Sequence, residues 1–373
     1  MIYKEFKGKK LSALGLGCMR LPTVLGIDSK IDEKRTAEMV KHAFDNGINY
    51  FDTAWGYHGG KSEPVIGKIL SNYPRDSFYL ATKFPGYDIK NMGKAKEIFE
   101  KQLERLQTDY FDFYLIHCVC DSNIDAYLDL DKKYGDIEYL MKERDKGRIK
   151  HLGFSTHANL TDLNRFLEAY GKDMEFCQVQ LNYLDWKGQD AKGQLEALKK
   201  YDIPVWVMEP VRGGKLASID KKYEKKLRSL REDESVPAWA FRFLQTIPEV
   251  VVTLSGMSNF RQLEENIATF SEEKPLSKNE WHTLLTIADS MLKKKALPCT
   301  ACRYCVTYCP QKLEIPRIIE LYNKHCFSDG SVSDEIEALD YKPSDCIGCK
   351  ACEEVCPQKI AISEMMNDFT SRF

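Results

Sequence analysis

The chain has 373 residues, of which 43% are hydrophobic and 29% are charged, and its formal net charge is −2. This balance is typical of a globular protein and provides neither a basic surface for nucleic acid nor a basic patch for membranes. No apolar run reaches the length of a transmembrane helix, and the amino-terminal segment lacks the apolar stretch of a signal peptide. Of the 13 cysteines, those at positions 18, 118, 120, 177 and 326 show no disulfide-framework spacing, which favours a reducing, cytoplasmic location.

Up to about residue 290, short apolar segments alternate with segments of helical periodicity. The predicted strands are Ala13–Cys18, Ile48–Trp55, Phe78–Phe84, Tyr110–His117, His151–Ser155, Phe176–Leu181, Val205–Glu209 and Val250–Ser255. Such apolar strands are typical of sheets covered on both faces. Predicted helices include Thr36–Asn46, Lys94–Leu106, Gln194–Lys200, Phe260–Phe270 and Ser277–Lys295. Eight strands with helical crossovers predict an α/β fold, a (β/α)8 TIM barrel over residues 1–290. A doubly wound sheet is disfavoured because no G-x-G-x-x-G motif follows the first strand.

Polar residues stand at the predicted carboxyl ends of these strands, where barrels carry their functional groups. They are Asp52, Tyr57, Lys83, His117, Ser155, Gln180, Asn182 and Glu209. An ammonium on Lys83 would lower the pKa of the Tyr57 phenol, and Asp52 would hold that ammonium in place. His117 would donate a hydrogen bond to a substrate carbonyl. These four residues together predict hydride addition to a carbonyl, with Tyr57 delivering the proton.

Residues 291–373 contain two cysteine runs of identical spacing. They are Cys299-x2-Cys302-x2-Cys305-x3-Cys309-Pro310 and Cys346-x2-Cys349-x2-Cys352-x3-Cys356-Pro357. This spacing predicts two [4Fe-4S] clusters, and its resemblance to bacterial two-cluster ferredoxins implies a small α+β ferredoxin-like domain. Since the fourth cysteine in two-cluster ferredoxins binds the other cluster, we assign Cys356 to the first cluster and Cys309 to the second. Zinc is the alternative metal, but two complete four-thiol repeats disfavour it.

Several segments resemble the aldo-keto reductase family. They are Phe51-Asp52-Thr53-Ala54-x2-Tyr57, Ala81-Thr82-Lys83, Tyr114-Leu115-Ile116-His117 and Gly153-Phe154-Ser155. Two more, at positions 208–214 and 255–258, resemble the bacterial branch of that family with a C-terminal ferredoxin-like domain. The resemblance covers essentially the whole chain. It implies a barrel that binds NADP(H) across its mouth and a catalytic tetrad of Asp52, Tyr57, Lys83 and His117.

The resemblance also implies a cofactor site. Ser155 and Gln180 would hold the nicotinamide amide. The adenine side would fall on Ser255, Gly256, Ser258, Glu265 and Asn266, and further contacts would come from Gly17, Cys18, Met19, Met208, Glu209, Arg212 and Gln262. The chain departs from the family pattern at Thr156, where the family has Asn, and near Met208 and Glu209, where it has an aromatic residue. Gly256 and Gln262 stand where basic residues usually bind the 2′-phosphate, so the nucleotide is predicted to be either NADP(H) or NAD(H).

A nicotinamide transfers two electrons as a hydride, whereas a cluster transfers one, and a flavin usually connects them. Three functions therefore stay open. The first is a carbonyl reductase or alcohol oxidase that uses NAD(P)H and exchanges electrons with a ferredoxin or flavodoxin partner. The second is a flavin-linked enzyme in which FMN passes electrons between the clusters and the substrate and the nicotinamide site is lost or weakened. The third is a non-enzymatic redox sensor or docking protein.

Overall fold

The computed structural model describes residues 1–294, 296–327 and 332–372. A short antiparallel hairpin, β1 (Tyr3–Phe6) and β2 (Lys9–Ser12), comes first. Eight parallel strands then close into a barrel: β3 (Leu14–Gly17), β4 (Tyr50–Asp52), β5 (Tyr79–Phe84), β6 (Phe111–Val119), β7 (Ile149–Thr156), β8 (Cys177–Gln180), β9 (Val205–Met208) and β10 (Val250–Ser255). Each strand pairs with the next in the chain, and β10 pairs with β3. The predicted barrel is confirmed.

Helices form the connections between the strands. They are α1 (Glu33–Asp45), α2 (Ser62–Leu70), α3 (Ala95–Leu106), α4 (Ile124–Leu128), α5 (Asp136–Asp145), α6 (Leu160–Tyr170), α7 (Asp185–Gly188), α8 (Ala191–Lys199), α9 (Lys221–Arg228), α10 (Val236–Gln245), α11 (Phe260–Thr269) and α12 (Lys278–Leu292). The start of α12 is set by a capping box between Ser277 and Glu280, which satisfies backbone N–H groups of the first turn. No helix of the described residues is long and apolar enough to cross a membrane.

The barrel is closed at the amino-terminal ends of its strands by the β1–β2 hairpin. The Phe6 ring packs edge-on against Trp206 with ring centres 5.0 Å apart, and both belong to an apolar cluster with Tyr50 and Phe113. Burial of such aromatic rings stabilises this end of the barrel. The opposite, carboxyl end is therefore left for polar groups.

The C-terminal region, residues 291–372, is helical where it is described. Its helices are α13 (Tyr304–Thr307), α14 (Ile315–Phe327), α15 (Ser333–Glu337), α16 (Ala351–Glu354) and α17 (Ile362–Thr370). We expected an α+β domain, but the described residues here form helices and turns without a strand. The boundary predicted at 290/291 lies inside α12 and stays a prediction.

The internal repeat of the C-terminal region extends from the cysteine spacing to the backbone. Three pairs of equivalent residues have left-handed φ angles: Ala301 and Gly348, Arg303 and Lys350, and Lys312 and Lys359. Left-handed residues next to right-handed ones turn backbone N–H groups toward a common point, which suits an anionic centre. Both cysteine runs thus form the same kind of loop.

The C-terminal region lies over the carboxyl ends of the barrel strands. Arg20, after β3, donates to the carbonyl oxygen of Thr300 over 2.7 Å. Tyr308 donates its hydroxyl to Asp88 over 2.7 Å, and Lys359 forms an ion pair with Asp121. Because these contacts come from several barrel loops, the region forms a roof over the mouth.

Candidate active site

The four predicted catalytic residues converge at the ends of β4, β5 and β6. The Lys83 ammonium is inaccessible to solvent, lies 2.6 Å from Asp52 Oδ1, and donates to the Thr53 carbonyl over 2.7 Å. It lies 3.4 Å from the Tyr57 hydroxyl oxygen. His117 is buried beside them, with its ring centre 6.2 Å from that of Tyr57. The strands thus bring together residues that are up to 65 positions apart, from Asp52 to His117.

Electrostatics in this cluster differ in one respect from the sequence-based expectation. Burial, followed by the charge of Asp52, raises the pKa of the Tyr57 phenol well above its usual value. Burial also raises the pKa of Asp52, although the Lys83 ammonium opposes this. The expected lowering of the Tyr57 pKa is not found, because Asp52 compensates the ammonium and burial disfavours a phenolate. Tyr57 therefore keeps its proton at neutral pH.

His117 is held as a neutral imidazole. Burial, followed by the charge of Lys83, lowers its pKa well below the usual value. Its Nε2 atom lies 3.1 Å from the hydroxyl oxygen of Tyr304, a residue of the C-terminal region. Its Nδ1 atom has no hydrogen-bond partner among the described residues. A neutral ring can donate one hydrogen bond from a single nitrogen.

A cavity of about 720 Å³ opens at the carboxyl ends of the strands. One part of its wall contains Asp52, Tyr57 and His117, and another contains the first turns of α11. Ten predicted cofactor residues line it: Gly17, Met19, Met208, Glu209, Ser255, Gly256, Ser258, Gln262, Glu265 and Asn266. Its volume is in the range of cofactor pockets. The cavity thus connects the predicted catalytic residues with the predicted adenine side.

Four predicted cofactor residues do not line this cavity. Cys18 is buried with its thiol directed to a backbone carbonyl, and Ser155 accepts a hydrogen bond from the Cys118 N–H over 2.7 Å. Arg212 forms a buried ion pair with Asp185. The Gln180 amide donates to the same Asp185 and accepts from Gln358 of the C-terminal region. These four side chains support the cavity wall rather than face the space.

Sequence reasoning missed several residues of the cavity wall. Gln178 is one of them, one pleat deeper on the same face of β8 as Gln180. His157, which the sequence leaves equally open as a substrate contact or a loop residue, also lines the cavity. Burial lowers the pKa of His157 to about 4. Arg228 and Arg261 line its outer part, paired with Glu224 and Glu265. Arg261 follows the predicted Ser258 by three positions and could have been found, whereas no local signal marks Arg228. The C-terminal region contributes Thr300, Cys302, Tyr304 and Pro357.

The eight cysteines of the two runs form two groups. Burial raises the pKa of Cys302 to about 12, with further increases from Cys356 and Cys299, which places Cys356 beside the first run. Burial likewise raises the pKa of Cys352 to about 12, with contributions from Cys309 and Cys346. Cys309 also lines one small cavity with Cys346, Cys349 and Cys352. In the described residues no group of three or more His, Cys, Asp or Glu side chains is arranged for a single metal ion.

A parallel barrel with a buried Tyr–Lys–Asp–His set beside a cofactor-sized cavity is the arrangement expected of an oxidoreductase. The sequence profile of the Aldo/keto reductase family matches residues 13–289, and that of the 4Fe-4S dicluster domain matches residues 298–360. The chain therefore belongs to the aldo/keto reductase family and carries a 4Fe-4S domain at its C-terminal end. The resemblance seen in the motifs is confirmed.

Relatives and solved structures cover the barrel. The L-galactose dehydrogenase of Arabidopsis thaliana is 27% identical over 299 residues, or 73% of this chain and 88% of that protein. An aldo-keto reductase of Bacillus halodurans superimposes with a TM-score of 0.61 at 25% identity, over 77% of this chain and 96% of its own. An aldo-keto reductase of Klebsiella pneumoniae, solved in complex with NADPH, has a TM-score of 0.61 at 20% identity and the same coverage, which shows the fold alone. These matches cover most of each related protein, whereas about a quarter of this chain lies outside them.

Proposed function

We propose that the chain interconverts a small carbonyl compound and its alcohol with NAD(P)H, and that Asp52, Tyr57, Lys83 and His117 are the catalytic residues. The observation that carries this proposal is the cavity that joins Tyr57 and His117 to Ser255, Gly256 and Asn266. A nicotinamide dinucleotide is long enough to need both parts of such a cavity.

The bound nucleotide would supply or accept the hydride at the substrate carbon. The neutral Tyr57 hydroxyl would then donate its proton to the developing alkoxide. Lys83 would favour the phenolate that is left behind, because its ammonium lies 3.4 Å from that oxygen. Asp52 would hold the ammonium, and the neutral ring of His117 would border the reacting oxygen without adding a positive charge there.

We further propose that two [4Fe-4S] clusters occupy the two thiol groups. Cys356 would complete the set of Cys299, Cys302 and Cys305, and Cys309 would complete the second set. The donor chemistry fits, because buried thiols with raised pKa values give up their protons only to a strongly positive centre such as iron. The first thiol group lies next to the cavity, since Cys302 and Pro357 line it, and this supports electron exchange between a cluster and a molecule bound in the cavity. For the same reason FMN remains an alternative cofactor for the cavity, and a ferredoxin or flavodoxin remains a candidate electron-transfer partner.

The catalytic assignment is tested with Tyr57→Phe, which removes one hydroxyl and keeps the ring. We expect NADPH-dependent reduction of benzaldehyde or glyceraldehyde to fall by at least about a hundredfold, since general acid catalysis contributes roughly that much. Iron content and nucleotide affinity should remain at wild-type values. Turnover close to wild type in this variant would refute the tetrad.

Anaerobic purification followed by iron, sulfide and released-cofactor analysis tests the rest. About eight irons and eight sulfides per chain are expected for two cubes. Zinc in place of iron would contradict the clusters. Released FMN together with no nicotinamide binding would favour the flavin-linked enzyme over the reductase.

A further inference from the structure

We propose that Tyr304, from the iron–sulfur region, is a catalytic residue of the barrel: its hydroxyl accepts a hydrogen bond from His117 and donates one to the substrate oxygen beside Tyr57. This inference rests on the function proposed above. It starts from the 3.1 Å contact between the Tyr304 hydroxyl and His117 Nε2, which joins residues 187 positions apart. Tyr304 lines both the 720 Å³ cavity and a neighbouring cavity of about 490 Å³, and Tyr57 lines the same two.

The direction of the hydrogen bond follows from the surroundings of His117. Its Nδ1 atom is buried without a partner in the described part of the chain. Buried N–H groups without acceptors are rarer than unpaired acceptors, so the proton is expected on Nε2. The Nε2–H group then donates to the Tyr304 oxygen. The Tyr304 hydroxyl hydrogen is left to point into the space that Tyr57 also faces, where a substrate oxygen would accept it.

The Tyr304 ring is positioned for this role by packing. It stacks on Tyr87 with ring centres 5.0 Å apart and an angle of 26° between the planes. Tyr87 in turn meets the His117 ring edge-on at 5.1 Å. Three aromatic side chains from three segments therefore fix one another, and a hydroxyl on this assembly needs little reorganisation to meet a substrate.

The internal repeat separates this role from cluster binding. Tyr304 lies between Cys302 and Cys305, and the equivalent position between Cys349 and Cys352 is Ala351. In both loops the residue just before this position has a left-handed φ angle; it is Arg303 in one loop and Lys350 in the other. The loop geometry therefore does not need a tyrosine there. In the described residues Cys302 and Tyr304 of the first loop line the cavity, whereas their equivalents Cys349 and Ala351 do not.

The test compares wild type, Tyr304→Phe and the matched control Tyr308→Phe in the full-length, cluster-loaded protein. Both variants lose one hydroxyl that bonds to the barrel, to His117 in one and to Asp88 in the other. With benzaldehyde and glyceraldehyde we expect kcat of Tyr304→Phe to fall by about a hundredfold, as for loss of one preorganised donor to a developing oxyanion. KM should change far less, and Tyr308→Phe should keep wild-type kcat. Iron content should be equal in all three.

Thermal unfolding of two further variants tests the contact without measuring turnover. Thermal unfolding of Tyr304→Phe, His117→Leu and the double variant should show less than additive losses, because both single changes remove the same hydrogen bond. Additive losses would overturn the contact. Equal loss of kcat in Tyr304→Phe and Tyr308→Phe would reduce Tyr304 to a docking residue and overturn the proposal, as would wild-type kcat in Tyr304→Phe. If wild type itself reduces no carbonyl with NAD(P)H, the proposed function fails and this inference with it.

Discussion

Replacement of Lys83 by Met tests the buried ion pair at the centre of the site. In the wild type the Lys83 ammonium and Asp52 carboxylate are 2.6 Å apart, and their side chains are 0% and 3% exposed. Methionine fills a similar volume but leaves the carboxylate uncompensated. Removal of one partner of a buried pair costs about 3–5 kcal/mol of unfolding free energy. At roughly 2–4 °C per kcal/mol for a large domain, this lowers the melting temperature by on the order of 10 °C.

The loss should depend on pH with a defined sign. Burial already raises the pKa of Asp52, and removal of the ammonium that opposes this raises it further. A carboxyl group whose pKa is raised by folding stabilises the protein fully below its unfolded pKa of about 4, and this contribution is lost as pH rises toward the folded pKa. The melting-temperature difference between wild type and Lys83→Met should therefore be larger at pH of about 8.5 than at pH of about 5.5.

Calorimetry of three proteins completes this experiment: wild type, Lys83→Met and Lys83→Met/Asp52→Asn. The second substitution replaces the unpaired carboxylate by a neutral amide, so the double variant should recover much of the lost stability at high pH. A deficit that is the same at both pH values, or a double variant no more stable than the single, would refute the reasoning. Cluster content is measured alongside to ensure that the unfolding refers to loaded protein.

Two further predictions concern the roof over the barrel and the outer part of the cavity. Gly213 and Gly214 both have positive φ angles, 63° and 94°, but a Cβ at Gly213 would meet the Thr300 carbonyl oxygen, whereas nothing lies within 4 Å of one at Gly214. Gly214→Ala should lower the free energy of unfolding by about 1–2 kcal/mol through backbone strain. Gly213→Ala should lower it by about 1–3 kcal/mol more through overpacking against Thr300, and should speed proteolysis of the C-terminal region. Equal melting temperatures of the two variants would contradict this contact. Arg261 is exposed at the cavity and held by Glu265 at 2.8 Å. Arg261→Ala should weaken the binding of NADPH about tenfold and that of NADH far less, because a charge-assisted hydrogen bond to the 2′-phosphate is lost. Equal losses of affinity for the two nucleotides in fluorescence titrations would exclude that role.

The strand order and the barrel could be predicted from the sequence because they depend on local patterns. Apolar runs at regular intervals identify the eight strands, and the rule that barrels carry polar groups at strand ends points to Asp52, Lys83 and His117. The cysteine runs are equally local, since their spacing alone predicts the loops that bring three thiols together. Equivalent positions of the two runs, such as Ala301 and Gly348, both have left-handed φ angles, which confirms the repeat.

The burial of individual side chains, their protonation states and the contacts between distant segments could not be predicted from the sequence in the same way. Gln178 and Gln180 share one face of β8, and only the packed structure determines which faces the cavity. The raised pKa of Tyr57 depends on how completely packing excludes water, which outweighs the neighbouring ammonium. The contact of Tyr304 with His117 depends on how the C-terminal region settles on the barrel. The sequence alone thus determined the barrel fold and the inventory of chemical groups, because these follow from short-range periodicity and spacing. Only the tertiary structure decided which groups meet, because burial and long-range docking have no local pattern.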